Sequence, residues 1–177
     1  MTEPFSASSN AEIYIPDLLA QSGLAFNNKL GLVICLKCGV AVTSSRLKDH
    51  ATKKHGLDRN TVNPILALIS EECKAADKYP ETTFPKPVQP YEGLPVVDNY
   101  LGCPECSYAA KDEKTMKRHL KTHKGATGAP LKNVLAQTLN ALNKTGWFQV
   151  TVSPKFSVFH SLLTSSPSLR PNSTTWL

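Results

Sequence analysis

The residues best suited to chemistry in this sequence are two sets of cysteine and histidine. The first set has the spacing C-x2-C-x11-H-x4-H and comprises Cys35, Cys38, His50 and His55. The second has the spacing C-x2-C-x12-H-x3-H and comprises Cys103, Cys106, His119 and His123. Two thiolates from a tight turn and two imidazoles on one helix face complete the tetrahedron that structural zinc prefers. The sequence therefore predicts two bound Zn²⁺ ions per chain.

The cysteine and histidine counts agree with this prediction. The 177 residues include five of each, and the two sets use four of each. An odd cysteine number argues against a disulfide framework, so the alternatives are zinc ligands, free thiols or buried core residues. We interpret the remaining Cys73 as a structural thiol on an apolar helix face, and the remaining His160 as a surface or core histidine.

Both sets supply four protein ligands, which is typical of structural zinc. A catalytic zinc site keeps one coordination position open and places an acid or base beside it. The sequence has no P-loop, no G-x-G-x-x-G, no G-x-S-x-G and no His-x-Glu before either cysteine pair. We therefore expect no enzymatic activity and no small-molecule substrate.

Short strands and one helix are predicted around each set. Strands at 30–34 and 40–42 flank the first cysteine turn, and a helix at 46–55 ends at Gly56. A second turn-and-helix unit spans 100–123. Leu47 and Met116 stand three residues before the first histidine of each set, where such a unit buries one large apolar side chain. These ββα-like units, 24–57 and 100–124, need metal to fold because their cores are so small.

The secondary structure of the rest of the chain is predicted from the spacing of apolar residues and from the positions of proline and glycine. We expect a helix within 58–79, with Asn63 as its N-cap and Pro64 in its first turn, then a Pro-rich extended linker at 80–99. Residues 125–160 are predicted to hold a helix at 131–142 and short strands at 147–152 and 156–159. The termini, 1–23 and 161–177, are expected to be mostly disordered, apart from a short helix from Pro16 to Gly23. The fold class is a small, metal-stabilised α+β protein.

The second unit is the better candidate for binding nucleic acid. The chain has a net charge of +6, and the stretch 111–124 has six basic residues against two acidic ones. Counting back from the first histidine, the base-facing positions are Asp112, Thr115 and Arg118, and arginine can pair with guanine. We therefore predict weak binding of DNA or RNA through Lys111, Lys114, Thr115, Lys117, Arg118 and Lys121.

The first unit is less suited to this role. Its base-facing positions are Thr43, Arg46 and Asp49, and 47 residues separate His55 from Cys103, too many for two fingers that follow one groove in register. The alternative is a protein-interaction module in which zinc fixes a scaffold and the apolar helices predicted at 64–79 and 131–142 pack together or recruit a partner.

Membrane and secretory proteins are excluded by composition. No apolar run approaches the roughly 18 residues of a membrane span, and the first residues lack the basic start and apolar core of a signal peptide. We expect a nuclear protein, or otherwise a cytoplasmic one, with no membrane contact.

Several segments resemble one family of fungal proteins. They are LVICLKCGVAV at 32–42, KKHG at 53–56, LPVV at 94–97, YLGCPEC at 100–106, QTL at 137–139 and WFQV at 147–150. Together they resemble the OrsD-like proteins, named after protein D of an orsellinic acid biosynthesis cluster. The resemblance implies a two-finger zinc-binding region, often at the start of much longer proteins, and implies no particular mechanism. It ends after about Val152, which favours a fragment of a longer protein.

Overall fold

A computed structural model describes residues 11–82, 84–123, 130–140 and 146–152. The predictions for 1–10, for the strand at 156–159, for His160 and for the tail at 161–177 lie outside these residues. None of the helices in the described ranges is long and apolar enough to cross a lipid bilayer. The described residues form a small α+β protein with two antiparallel sheets, as predicted for the fold class.

The first sheet has four strands in the order β1-β2-β3-β4. Its elements, with the helices around it, are β1 (Ile13–Tyr14), α1 (Asp17–Ser22), β2 (Leu24–Asn27), β3 (Leu32–Cys35), β4 (Val40–Val42), α2 (Ser44–His55) and α3 (Arg59–Glu71). The two strands expected beside the first cysteine turn are β3 and β4, and the sheet adds two strands that were not predicted.

The expectation of disorder across 1–23 is wrong for residues 11–23. The predicted short helix is present as α1, with Pro16 at its N-cap and Gly23, at φ +71°, closing it. Leu19 is fully buried, and Tyr14 packs against the same cluster of apolar side chains. This segment is ordered because it covers one face of the first sheet.

The third helix begins and ends earlier than predicted. Its N-cap is Asp58, whose carboxylate accepts a hydrogen bond from the Thr61 N–H at 2.8 Å, so Pro64 lies inside the helix and not in its first turn. The predicted apolar face is real, because Val62, Ile65 and Ile69 are buried. Their burial offsets the backbone bond that proline cannot make. Residues 73–79 are not helical, so the predicted extension to residue 79 is wrong.

The Pro-rich segment is packed and does not act as a free linker. As predicted, it contains no helix among its described residues. Phe84 and Tyr91 both contact the Phe148 ring edge-on, with centroids 5.6 and 6.0 Å apart, and Leu94 is 7% exposed. Proline excludes helix but leaves the intervening apolar side chains available for the core.

The second sheet contains β5 (Val97–Gly102), β6 (Ala109–Ala110), β7 (Lys132–Thr138) and β8 (Trp147–Val150), in the order β6-β5-β7-β8, with helix α4 (Glu113–Leu120) beside it. The helix predicted at 131–142 is therefore wrong: its first part is strand β7. This strand lies between β5 and β8 and pairs with both, for example Tyr100 with Val134 and Gln137 with Phe148. Pairing on both edges overrides the helical spacing of its apolar residues.

One hydrophobic cluster joins the two sheets. Leu32 and Ile34 from the first sheet share it with Phe148 and Val150 from the second, and all four are buried. A backbone hydrogen bond of 2.8 Å from Ala41 N–H to Leu139 O also connects the two halves. The two ββα-like units are thus parts of one packed structure, and the prediction of units separated by a linker is corrected.

Candidate metal centres

The first centre forms where β3 ends and α2 passes over the cysteine turn. Gly39, at φ +63°, donates its N–H to Cys35 O at 2.8 Å and so closes the turn that holds both thiols. From His55 Nε2 the distances are 3.2 Å to Cys35 Sγ, 3.3 Å to Cys38 Sγ and 3.3 Å to His50 Nε2. The structure therefore brings together all four predicted ligands.

The second centre is built from the end of β5 and the C-terminal part of α4. Cys106 Sγ lies 3.4 Å from His119 Nε2 and 3.6 Å from His123 Nε2, and the two imidazole nitrogens are 3.1 Å apart. The Tyr108 N–H points at Cys106 Sγ at 3.4 Å, as backbone amides do around thiolate ligands. His123 lies just past the helix, in a turn where its N–H bonds Leu120 O.

These distances match the edges of a tetrahedron around a metal ion. Zinc bonds of about 2.0–2.1 Å to nitrogen and about 2.3 Å to sulfur give edges of roughly 3.3 Å between nitrogens and roughly 3.6 Å between sulfur and nitrogen. In each set the donor atoms all lie within 4.8 Å of one another. Both sets could therefore hold a metal ion with four protein ligands.

Burial sets the protonation of the ligands before metal binds. It raises the pKa of the Cys35 and Cys106 thiols, and with the neighbouring histidine it lowers the pKa of His50 and His119. Without metal, these two thiols and these two imidazoles are therefore favoured in their neutral forms. Because metal must displace the thiol protons, binding should weaken as the pH falls.

Two buried side chains support the helices as predicted. Leu47 under α2 and Met116 under α4 are both fully buried. In the second centre the Tyr108 ring also stacks on His119, with centroids 4.0 Å apart and planes 22° from parallel. This contact fixes the orientation of the His119 imidazole. In the sequence, the stacking residue is recognisable as the aromatic residue two positions after the second cysteine.

The sequence did not reveal that Gln149 supports the second centre. This residue of β8 is 6% exposed, and its Nε2 donates to Cys103 O at 2.7 Å, Cys106 O at 2.8 Å and Tyr108 O at 3.2 Å. It thus fixes the backbone of the cysteine turn through three of its carbonyl oxygens. A polar residue inside the apolar strand WFQV was the only available signal.

Five of the six predicted nucleic-acid-binding residues line a shallow groove at α4, and the sixth, Lys111, comes two residues before the helix. Thr115 is half-buried, and the basic residues are exposed: Lys111, Lys114, Lys117, Arg118 and Lys121. Two of the three base-facing positions are satisfied by each other, because Asp112 accepts hydrogen bonds of 2.8 and 2.9 Å from the Thr115 N–H and hydroxyl. Arg118 is the remaining base-facing position, and Lys117 pairs with Glu113 at 2.8 Å.

The N-terminus of α2 is covered by the chain itself. Thr43 is 2% exposed, the Ser44 N–H donates to Ala76 O at 2.9 Å, and the Ser45 hydroxyl donates to Asp77 O at 3.1 Å. A finger that reads DNA points this end of its helix into the major groove. The irregular segment that follows α3 occupies that space in the first unit.

Comparison with known proteins gives one family. The family described as orsellinic acid/F9775 biosynthesis cluster protein D matches residues 22–125, more than half of the chain. A protein of that description from Emericella nidulans is 29% identical over 132 residues, which are 72% of this chain and 26% of the relative. The chain thus spans about a quarter of that relative's length. No solved structure matches the present chain.

Proposed function

Because the chain belongs to the family of orsellinic acid/F9775 biosynthesis cluster protein D and both Cys2His2 sets lie inside the matched region, we propose that it is a zinc protein that binds nucleic acid through its second finger. The observation that carries the nucleic-acid part is the exposed basic surface of α4. A role in biosynthesis is named for the relative and is not needed for this proposal.

The donor set supports zinc as the metal. Two thiolates with two imidazoles suit Zn²⁺, whereas Mg²⁺ and Ca²⁺ take oxygen ligands. Four protein ligands in a closed tetrahedron support a structural role, so we propose two structural ions and no catalysis at either centre. Native mass spectrometry of the full chain should show two Zn²⁺ per molecule. Finding one ion or none would remove one or both centres from the proposal.

The surface of α4 supports contact with phosphates more than reading of bases. Its lysines can neutralise backbone phosphates, whereas Arg118 alone is placed to pair with guanine. A single finger covers only about 600–1,000 Å² of DNA. We therefore expect weak, salt-dependent binding with little sequence preference, to DNA or RNA.

Fluorescence anisotropy with a labelled DNA duplex, a single strand and an RNA hairpin tests this at about 50 and 200 mM salt. The double variant Lys114→Gln/Lys121→Gln should lower the affinity about tenfold and reduce the salt slope by about 2. The matched control Arg46→Gln/Lys54→Gln removes the same charge from α2 and should change the affinity less than about twofold. Equal losses in both variants, or no binding by the unmodified chain, would reject the proposal.

The protein-interaction alternative has lost the two surfaces on which it depended. The apolar face of α3 is buried inside the chain, and residues 132–138 of the second predicted helix form β7 in the middle of a sheet. A nuclear location remains part of the nucleic-acid proposal. Imaging a fluorescent fusion of the chain checks it, and exclusion from the nucleus would restrict the proposed ligand to cytoplasmic RNA.

A further inference from the structure

A cavity of about 300 Å³ lies beside the first metal centre. The outward face of α2 forms one wall, strand β4 forms the floor, and Tyr79 and Asn140 form the opposite wall. One side is open to solvent. The size is at the lower end of the range for small-molecule sites, about 300–1,000 Å³. Nothing in the sequence indicated it, because its walls are distant along the chain.

The charges that line this cavity are unbalanced. Lys53 pairs with Asp49 at 2.8 Å, so these two charges offset each other. Arg46 and Lys54 also line the cavity, and neither forms an ion pair with any of the described residues. Two cations without a partner carboxylate favour an anionic occupant, and the guanidinium can bind a phosphate or carboxylate through two hydrogen bonds.

The floor is apolar, and the Tyr79 ring of the far wall is held in place. Val40, Ala41 and Val42 are at most 6% exposed and belong to the sheet. The Tyr79 hydroxyl donates to Ala41 O at 2.9 Å, which holds the half-buried ring against the strand. An occupant with a flat apolar body would therefore contact the Tyr79 ring while its anionic group meets Arg46 and Lys54.

Duplex DNA does not suit this site. In a DNA-reading finger Arg46 and Asp49 would face bases, but here the start of α2 is covered by residues 76–77. We propose that the cavity binds a small organic anion, a phosphate or carboxylate group on an apolar body. The proposal is independent of nucleic-acid binding by α4, and it concerns a ligand and not a reaction.

Titration of the zinc-loaded full chain with three probes tests this proposal. The probes are phenyl phosphate, benzoate and inorganic phosphate, and the readout is ¹H–¹⁵N chemical-shift change. We expect saturable shifts around α2, Tyr79 and Asn140, with tighter binding of the first two probes than of inorganic phosphate. The relative affinity of phenyl phosphate and benzoate identifies which anionic group the site prefers.

The same two double variants used for nucleic acid distinguish this site from general charge attraction. Arg46→Gln/Lys54→Gln should weaken binding of phenyl phosphate at least about tenfold, whereas Lys114→Gln/Lys121→Gln should change it less than about twofold. All four substituted residues are exposed, so both double variants should fold. Equal weakening by the two variants, shifts confined to α4, or no saturation with any probe would overturn the proposal.

Discussion

The two metal centres have the same donor atoms, yet their surroundings differ. The first unit has more structure around it: β1 and β2 extend its sheet, α3 packs on α2, and residues 76–77 cover the start of the metal-binding helix. The second rests on β5, β6 and Gln149 of β8, and residues 112–114 at the start of its helix α4 are exposed. Ligand spacing thus specifies the metal site, whereas the elements around it decide what the helix can contact.

The position of each centre relative to the core also differs. Cys35 is fully buried in the main cluster of the first sheet, and β3 contributes side chains to the cluster shared by both sheets. Cys103 belongs to a smaller cluster with Ala110, Met116 and Leu120. Loss of metal from the first centre should therefore destabilise more of the structure than loss of metal from the second.

The largest effect is expected from single variants that each remove one thiol from one centre. Structural zinc supplies about 10–16 kcal/mol in finger peptides, as much as the roughly 5–15 kcal/mol stability of a whole domain. Cys35→Ser should abolish NMR dispersion throughout the chain and release both ions. Cys103→Ser should keep one ion and the first-sheet signals. Native mass spectrometry and NMR measure both outcomes, and identical behaviour of the two variants would contradict the asymmetry.

Gln149→Leu tests the support behind the second centre. It leaves three carbonyl oxygens without this donor, so zinc affinity at the second centre should fall about 10- to 100-fold while the first centre is unchanged. Competition with a chromophoric chelator measures both affinities.

Gln137→Leu is a matched control for that variant. Gln137 is also a buried glutamine, but its amide bonds the backbone of Tyr91 and Leu94, away from the cysteines. The substitution should lower the free energy of unfolding by about 2–4 kcal/mol without selective loss of second-site zinc. A similar drop in second-site affinity in both variants would show that general destabilisation, and not support of the cysteine turn, is the cause.

A smaller effect is expected at Gly102, directly before the second cysteine turn. A Cβ there would lie 2.6 Å from Val134 Cγ1 and 2.8 Å from Gln149 Oε1. Gly102→Ala should therefore cost about 2 kcal/mol in urea unfolding and lower second-site zinc affinity by displacing the glutamine. Gly31→Ala is the control, because its cost of about 1 kcal/mol comes from a positive φ alone, with only Ala76 Cβ within 4 Å. Unchanged second-site affinity in Gly102→Ala would contradict the predicted displacement.

The sequence predicted the features that depend on residues close together along the chain and missed those that depend on distant ones. The grouping of the eight cysteine and histidine side chains and the burial of Leu47 and Met116 were predictable, because a metal tetrahedron constrains residues that are close in sequence. Gln149 was not, because its acceptors are more than forty residues away and a polar residue in an apolar strand appears only as an interruption.

Strand β7 and the Pro-rich segment were missed for a related reason. Val134, Leu135 and Leu139 have a spacing that fits a helix, and only the neighbouring strands β5 and β8 make this segment extended. The prolines before it excluded helix but said nothing about the packing of Phe84 and Tyr91. Contacts between distant segments decided both outcomes.

The smallest predicted effect concerns the charge at the start of α4. Hydrogen bonds from Thr115 lower the pKa of Asp112, so its carboxylate is charged at neutral pH and stands among the basic side chains proposed to meet phosphates. Asparagine caps helices as well as aspartate does, so Asp112→Asn removes the charge and keeps the cap. Affinity for a DNA duplex at low salt should rise about threefold in anisotropy titrations, because one repulsive charge is removed.

Asp58→Asn provides the corresponding change at the start of α3, in the first unit. Asp58 caps α3 with the same hydrogen bond, to the Thr61 N–H, and its pKa is lowered for the same reason. The substitution makes the same change in net charge, so it should leave duplex affinity unchanged if nucleic acid contacts α4 alone. A rise in both variants would mean that only net charge matters, and the distinction between a finger helix with an exposed start and one with a covered start would then not extend to nucleic-acid binding.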